Sequence, residues 1–331
     1  MFKQITIVGT GLIGGSLGLA LKCARFKAAG FKGTIIGCDR AEVLKAARQR
    51  GAIDRGETDC SAALRGSDLV ILATPVGAII DFLDRLGPAL GKRVFVTDVG
   101  STKQEIVARA RHVFGPEAAT RFLGGHPMAG KEHGGIAHAG AALFQDALWF
   151  LTPAHDQDLD DGAAADWAEL VAAIGARVTT ITPEAHDQLV AWTSHLPQLL
   201  STALASSLAD FAEQLAADAG DDIEVREAGG RGLRDMTRLA GSPYDMWRDI
   251  ALTNTANIAD ALLQLEQKLA HIRENLRTRE LEAEFRRGQD QGQSQSFNAE
   301  APSAPRKSKR KNKKTRKQKK QKTSASSAPR R

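Results

Sequence analysis

The stretch Ile5-Thr-Ile-Val-Gly9-Thr-Gly11-Leu-Ile-Gly14-Gly15-Ser16 constrains this chain more than any other. It sets G-x-G-x-x-G between a β-branched run and a helical stretch, so a strand must end and a helix begin within a few residues. Glycine at the first position permits a tight turn, and at the second it lets the backbone approach a pyrophosphate. The third allows close packing of helix on strand, while the helix N-terminus supplies N–H donors and positive partial charge. A second strand ends at Asp39, 25 residues beyond Gly14, near the spacing of about 20 for a carboxylate that binds adenine-ribose hydroxyls. An acid there repels a 2′-phosphate and favours NAD over NADP; the adjacent Arg40 is able to bind that phosphate or stack on adenine. The expected dinucleotide contacts are Gly9, Gly11, Leu12, Ile13, Gly14, Asp39 and Arg40, with Thr74 and Pro75 after a later strand. The alternative is a glycine turn with a structural role alone.

The first 155 residues alternate β-rich runs with helical ones. Strands are expected at Gln4–Val8, Thr34–Cys38, Leu69–Ala73, Arg93–Thr97, Arg121–Leu123 and Ala147–Leu151, with Arg177–Ile181 finishing the sheet. Helices are expected at 12–29, 41–50, 76–86 and 103–113. Such alternation specifies βαβ units and a mostly parallel, doubly wound α/β sheet of Rossmann type. Beyond residue 155 the chain turns Ala- and Leu-rich with helical periodicity over 163–174, 184–217, 223–239 and 244–286, and Pro183 and Pro243 sit where helices open. The expected domains are therefore a dinucleotide-binding domain at 1–182, an all-helical domain at 183–286, and a disordered basic tail at 287–331.

The net charge of +6 conceals two parts. Residues 306–331 carry 14 Lys or Arg and no acid, leaving 31 basic against 39 acidic residues in 1–305. Residues 306–322 are suited to non-specific polyanion contact, but hold no aromatic side chain for base stacking; a solubilising tail is the alternative. No apolar run reaches the roughly 20 residues of a membrane span, and glycines break the opening run that resembles a signal peptide. The three cysteines, Cys23, Cys38 and Cys60, lack metal-ligand spacing. They read as reduced thiols in a cytoplasmic protein, and no metal is expected.

Further segments place polar residues where strands or helices deliver them to a ligand. Asp98-Val-Gly100-Ser101-Thr-Lys103 follows a strand, as does His126-Pro-Met-Ala-Gly130-Lys-Glu132-His-Gly134. In the helical part, Ser194-His195-Leu-Pro197 interrupts a helix, and Asp235-Met-Thr237-Arg238 precedes Pro243. With the glycine-rich opening, these motifs resemble the prephenate dehydrogenase family in order and spacing, over about residues 3–286. The acidic stretch 218–229 and the basic tail depart from that pattern.

The resemblance implies a homodimer built through the helical domain, with the active site in the cleft between domains. It also implies NAD-dependent oxidative decarboxylation of prephenate, or of arogenate, towards tyrosine. His126 is then the base at the ring hydroxyl, with a pKa near working pH, and Ser101 bonds that hydroxyl or orients His126. Arg238 binds the ring carboxylate through its bidentate fork, His195 lines the pocket, and Glu132 and Asp235 orient cationic groups. Plainer readings stand beside these. Ser101 is also a helix N-cap candidate, Arg238 an ion-pair partner of Asp235, and the remaining histidines, His186 among them, surface or satisfied core residues. A rival two-domain dehydrogenase acting on a β-hydroxyacid or 6-phosphogluconate would want a helical-domain lysine, and only Lys268 is present there.

Overall fold

A computed structural model describes residues 2–24, 31–131, 133–155, 159–219 and 228–300. Glu132, most of the acidic stretch 218–229 and the basic run 306–322 lie outside the described residues. The chain divides into two compact units, Met1–Glu266 and Gln267–Arg331.

The first unit is organised by an eight-stranded sheet. Its strands are β1 (Gln4–Val8), β2 (Thr34–Cys38), β3 (Arg55–Glu57), β4 (Leu69–Leu72), β5 (Phe95–Asp98), β6 (Phe122–Pro127), β7 (Leu148–Pro153) and β8 (Arg177–Thr180). Their order is β3-β2-β1-β4-β5-β6-β7-β8. Strands β1 to β6 run parallel, β7 is antiparallel to β6, and β8 is parallel to β7. The order reverses between β1 and β4, which opens a crevice at their carboxyl ends where ligands bind in such sheets.

Ile, Val and Leu dominate the central strands because both faces are covered. On one face α1 (Leu12–Cys23) buries Leu17 and Leu21 against Ile5, Ile7 and Ile71. Further along, that core holds Trp149 of β7 and Trp167 of the later helix Gly162–Ala173. The other face is covered by α4 (Val76–Leu86) and α5 (Gln104–Phe114), through Ile79, Leu83, Ile106 and Val107. Between α1 and α4 come α2 (Ala41–Gln49) and α3 (Cys60–Ala63); α6 (Ala118–Arg121) precedes β6, and Gly162–Ala173 is α7.

The helical part of this unit begins with α8 (Pro183–Val190), whose first turn holds Pro183 and whose N-cap is Thr182. A five-residue π-helical turn, Ala191–His195, leads into α9 (Leu196–Ala219). Then come α10 (Gly230–Thr237), α11 (Tyr244–Thr253) and α12 (Thr255–Glu274). Among the described residues, no helix is long and apolar enough to cross a membrane.

Four features differ from the expectations. Strand β6 runs on to Pro127, so His126 belongs to the strand and not to the loop after it; pairing with β7, His126 opposite Phe150, holds it there. The edge strand β3 pairs Ile36 with Arg55 although its Arg-Gly-Glu sequence has no strand pattern. In the second unit, α13 (Arg279–Glu300) occupies the Gln- and Ser-rich residues 288–300 expected to be disordered. Glu, Gln, Arg and Ala are good helix formers, and the Lys268–Glu284 and Arg286–Glu282 pairs hold the start of this helix.

The fourth concerns the cysteines. Cys38 and Cys60 form a disulfide between the end of β2 and the start of α3, with Cα atoms 5.6 Å apart; Cys23 is a free, exposed thiol. Their proximity comes from sheet topology, which spacing in the chain does not reveal. Closing a loop of this size stabilises by about 3 kcal/mol. Cys60→Ser is expected to lower the urea midpoint of oxidised protein accordingly, and an unchanged midpoint would show that the bond contributes nothing.

Candidate active site

The glycine-rich turn joins β1 to α1 at the crevice. Gly9 has φ +90°, and a Cβ on it would lie 2.5 Å from the Ala73 carbonyl oxygen and 2.9 Å from Thr74 Cγ2, so glycine alone fits. Its N–H donates to the Cys38 carbonyl, which fastens the turn to β2. A Cβ on Gly14 would collide with the Gly9 carbonyl, whereas one on Gly11 would meet nothing within 4 Å. Gly11 is therefore the open side of the turn, at the N-cap of α1, where no side chain caps the helix. Leu12 and Ile13 form the first, half-buried turn.

Asp39 directly follows β2 and is held by three donors. Its carboxylate accepts from the Thr10 N–H at 2.7 Å, the Thr10 hydroxyl at 3.2 Å and the Arg40 N–H at 2.8 Å. Arg40 itself is exposed and pairs with Glu42 at 3.4 Å. Thr74 is half-buried beside the turn, and Pro75 is the N-cap of α4. An open backbone cradle at a helix N-terminus beside a fixed carboxylate fits a dinucleotide pyrophosphate and adenine ribose.

A second group of residues lies at the ends of β5 and β6. Asp98 is fully buried; its carboxylate accepts from the Gly100 N–H, from the Gly125 N–H and from the ammonium of Lys103, also fully buried. Burial lowers the Lys103 pKa against the opposing pull of Asp98. The contact with Gly125 fixes the strand one residue before His126.

Asp187 of α8 then joins three elements. Its carboxylate accepts from the backbone N–H groups of Lys103 (2.7 Å) and Gln104 (2.9 Å), capping α5 from outside that helix. Ser101, half-buried in the preceding loop, is thus not the N-cap; that position falls at Lys103, and a distant carboxylate does the capping. The same Asp187 carboxylate lies 2.7 Å from Nδ1 of His186, and His186 Nε2 lies 2.9 Å from Nδ1 of His126.

Donor and acceptor rules set the protons along this line. A carboxylate only accepts, so His186 carries its proton on Nδ1 and its neutral Nε2 accepts. His126 must then donate from Nδ1, which leaves its Nε2 lone pair free. Burial, followed by the nearby His186, Lys103 and His195, holds the His126 pKa well below 6.5. Burial likewise lowers His186, against Asp187.

His195, 1% exposed at the end of the π-helical turn, belongs to the same cluster. Asn254 donates to the Asp187 carbonyl at 2.9 Å and meets His195 Nδ1 at 3.2 Å. Burial brings the His195 pKa to about 4, and the Trp247 ring stands edge-on to it at 5.8 Å. Asp235 and Arg238 are exposed on α10 and the 3-10 turn Arg238–Gly241 that follows it. That turn is tied to α9, where Gln198 donates to the Leu239 carbonyl and Ser201 accepts from the Ala240 N–H. Helix α11 reaches back to the sheet domain through Asp249, which accepts from the Gly77 N–H, and through Thr253, bonded to Thr102.

The fold thus brings Gly9, Gly11, Gly14, Asp39 and Thr74 together, and His126 with His195. His186, read from sequence as a residue without a role, is the direct partner of His126. Asp187 and Asn254 were not singled out; the His186-Asp187 dipeptide in a helix ahead of Ser194-His195 was the one available signal.

Two family models match the chain: "Prephenate dehydrogenase, nucleotide-binding domain" over residues 23–180 and "Prephenate dehydrogenase, dimerization domain" over residues 182–289. The prephenate dehydrogenase of Bacillus subtilis is 34% identical over 288 residues, which cover 86% of this chain and 73% of that protein. Among solved structures, prephenate dehydrogenase from A. aeolicus in complex with hydroxyphenyl propionate and NAD+ matches with a TM-score of 0.75 at 29% identity, covering 90% of this chain and 99% of that one. Synechocystis arogenate dehydrogenase matches with a TM-score of 0.70 at 28% identity, covering 89% and 99%. The chain belongs to the prephenate dehydrogenase family.

Proposed function

We propose that this protein catalyses the NAD-dependent oxidative decarboxylation of prephenate to 4-hydroxyphenylpyruvate, the step that leads to tyrosine. One observation carries the reading: a buried histidine whose Nε2 lone pair is kept free by the line Asp187, His186, His126. Prephenate is a cyclohexadienol with a 4-hydroxyl, a ring carboxylate and a pyruvyl side chain. Bound NAD+ supplies the acceptor for the C4 hydride. His126 Nε2 takes the hydroxyl proton, and the imidazolium that forms keeps its Nδ1–H on His186, backed by the Asp187 carboxylate. The ring carboxylate then departs as CO₂, its electron pair arriving at the ring oxygen. His126 returns the proton there, so no net proton is released, and aromatisation drives the step.

Within this reading the turn at Gly9, Gly11 and Gly14, with Leu12 and Ile13, receives the pyrophosphate. Asp39, Arg40, Thr74 and Pro75 flank the nucleoside ends, and the Asp39 carboxylate favours NAD over NADP. Ser101, in the loop between Asp98 and Lys103, bonds the substrate hydroxyl. Arg238 takes the ring carboxylate, with Asp235 three residues before it on α10. Glu132, which lies outside the described residues, is assigned the orienting of a cationic group. His195 contacts the substrate from the helical side.

The helical domain at 183–286 serves as the substrate and homodimer domain, after a dinucleotide domain at 1–182. Phe211, Met236, Tyr244, Leu252 and Leu263 on α9 to α12 are exposed, apolar side chains that a second copy would cover. A biosynthetic reaction of this kind points to the cytoplasm, where persistence of the Cys38–Cys60 bond would itself be informative. The basic run 306–322 has no part in this reaction.

The test is NADH formation at 340 nm with prephenate and arogenate offered separately, and NADP+ as cofactor control. Turnover of prephenate with NAD+ is the expected result. Turnover of arogenate alone would keep the chemistry and change the substrate; no reduction with either, in protein that binds NAD+, would overturn the assignment.

A further inference from the structure

The two histidines of the cluster that stand for proton transfer and substrate contact are held in opposite ways by the same residue of α8. The His126 line begins at the Asp187 carboxylate; the His195 contact begins at the Asp187 main-chain carbonyl. Between that carbonyl and His195 lies Asn254, 3% exposed, in the one-residue break between α11 and α12.

A carbonyl oxygen can only accept, so the atom of Asn254 facing Asp187 is the amide nitrogen, at 2.9 Å. The Asn254 side-chain oxygen is accounted for separately, since it accepts from Asn257 at 2.7 Å. The orientation of the amide is therefore determined from both ends. Its nitrogen has a second hydrogen and lies 3.2 Å from His195 Nδ1. An amide nitrogen cannot accept, so Nδ1 must be the unprotonated atom of the imidazole.

We propose that Asn254 is a positioning residue that fixes His195 as the neutral imidazole with its proton on Nε2. His195 can then only donate at its free edge, towards a substrate oxygen, while His126 in the same cluster can only accept. A neutral donor also spares His126 a second positive charge at the moment it takes a proton. The low pKa of His195, about 4, agrees with this assignment. The functional half of the inference rests on the reading of His195 as a substrate contact.

The experiment is a two-bond proton–nitrogen NMR spectrum of the full-length protein labelled with ¹⁵N-histidine, with His195 assigned by the peaks lost in His195→Gln. The expected spectrum shows His195 protonated on Nε2 and bare on Nδ1. Asn254→Ala is expected to yield a mixture of tautomers and to raise KM for prephenate roughly tenfold with kcat within about twofold, in the range for loss of a partner that orients a site histidine. A wild-type His195 protonated on Nδ1 would overturn the proposal without need of any variant. So would an Asn254→Ala protein with unchanged ring signals and unchanged KM. An unaltered KM in His195→Gln, together with a wild-type His195 protonated on Nε2, supports the tautomer assignment and overturns the substrate contact alone.

Discussion

Replacing His126 with asparagine lowers kcat by about 10²–10⁴-fold, the range for removing a positioned general base, while NAD+ still binds. Asparagine fits within the volume of the ring and keeps a polar group in the strand, so β6 retains its pairing with β7. What it loses is a basic lone pair at the Nε2 position. Among the described residues, the nearby titratable groups are engaged elsewhere: His186 is turned towards Asp187, and Lys103 is held by Asp98. Burial keeps the His126 pKa well below its ordinary value, so in wild-type protein the base is unprotonated throughout the neutral range. Activity should fall only when pH drops below the usual histidine range. The check is steady-state kinetics with prephenate, alongside fluorescence titration with NADH. A variant with wild-type kcat would remove His126 from the chemistry.

Asp187→Asn should be nearly as damaging, although Asp187 is assigned no contact with the substrate. The carboxylate accepts three hydrogen bonds, from the Lys103 and Gln104 backbone and from His186. An asparagine offers one acceptor oxygen and an amide that can only donate. If the oxygen keeps the Gln104 N–H, the amide replaces the oxygen that the Lys103 N–H and His186 Nδ1 share, and it forces the His186 proton to Nε2. His186 then donates to His126 Nδ1, and the His126 proton is displaced to Nε2, the atom that must receive the hydroxyl proton. The expected loss in kcat is again about 10²–10⁴-fold. Leaving a buried donor short of its partner costs about 1–3 kcal/mol of stability. Kinetics and urea unfolding measured on one preparation separate the two effects; full activity in a destabilised variant would mean that Asp187 serves only as a cap.

Much of this was open to reading from residues alone, and for identifiable reasons. The glycine turn, β1 and β2 are local: every constraint on them lies within a few residues, and β-branched runs flanked by Gly mark the boundaries. His126 and His195 were found because the motifs around them, His126-Pro-Met-Ala-Gly130 and Ser194-His195-Leu-Pro197, resemble those of the family. His186, Asp187 and Asn254 escaped because what makes them matter is 60 residues away in the chain for His186 and His126, and 67 for Asn254 and Asp187. Distance likewise hid the Cys38–Cys60 bond, and the external cap on α5 that made Ser101 look like the obvious N-cap. Strand β3 could not be seen because an edge strand of three polar or small residues is defined by its neighbour, not by its own pattern.

The π-helical turn at Ala191–His195 gives chain length a chemical meaning at this one place. Such a turn takes up an extra residue without lengthening the helix proportionately. At 3.6 residues per turn, one residue amounts to a rotation of about 100° for all that follows. Between α8 and α9 it therefore acts as a phase offset, setting the azimuth of His195 against Asp187 on one side and of Gln198 against the Arg238 turn on the other. Removing a single residue from 191–194 would leave an uninterrupted helix of good composition and no exposed scar, yet His195 would be carried away from Asn254. In a surface loop a one-residue difference between relatives is silent; here it would separate a chain that performs the reaction from one that merely shares the fold.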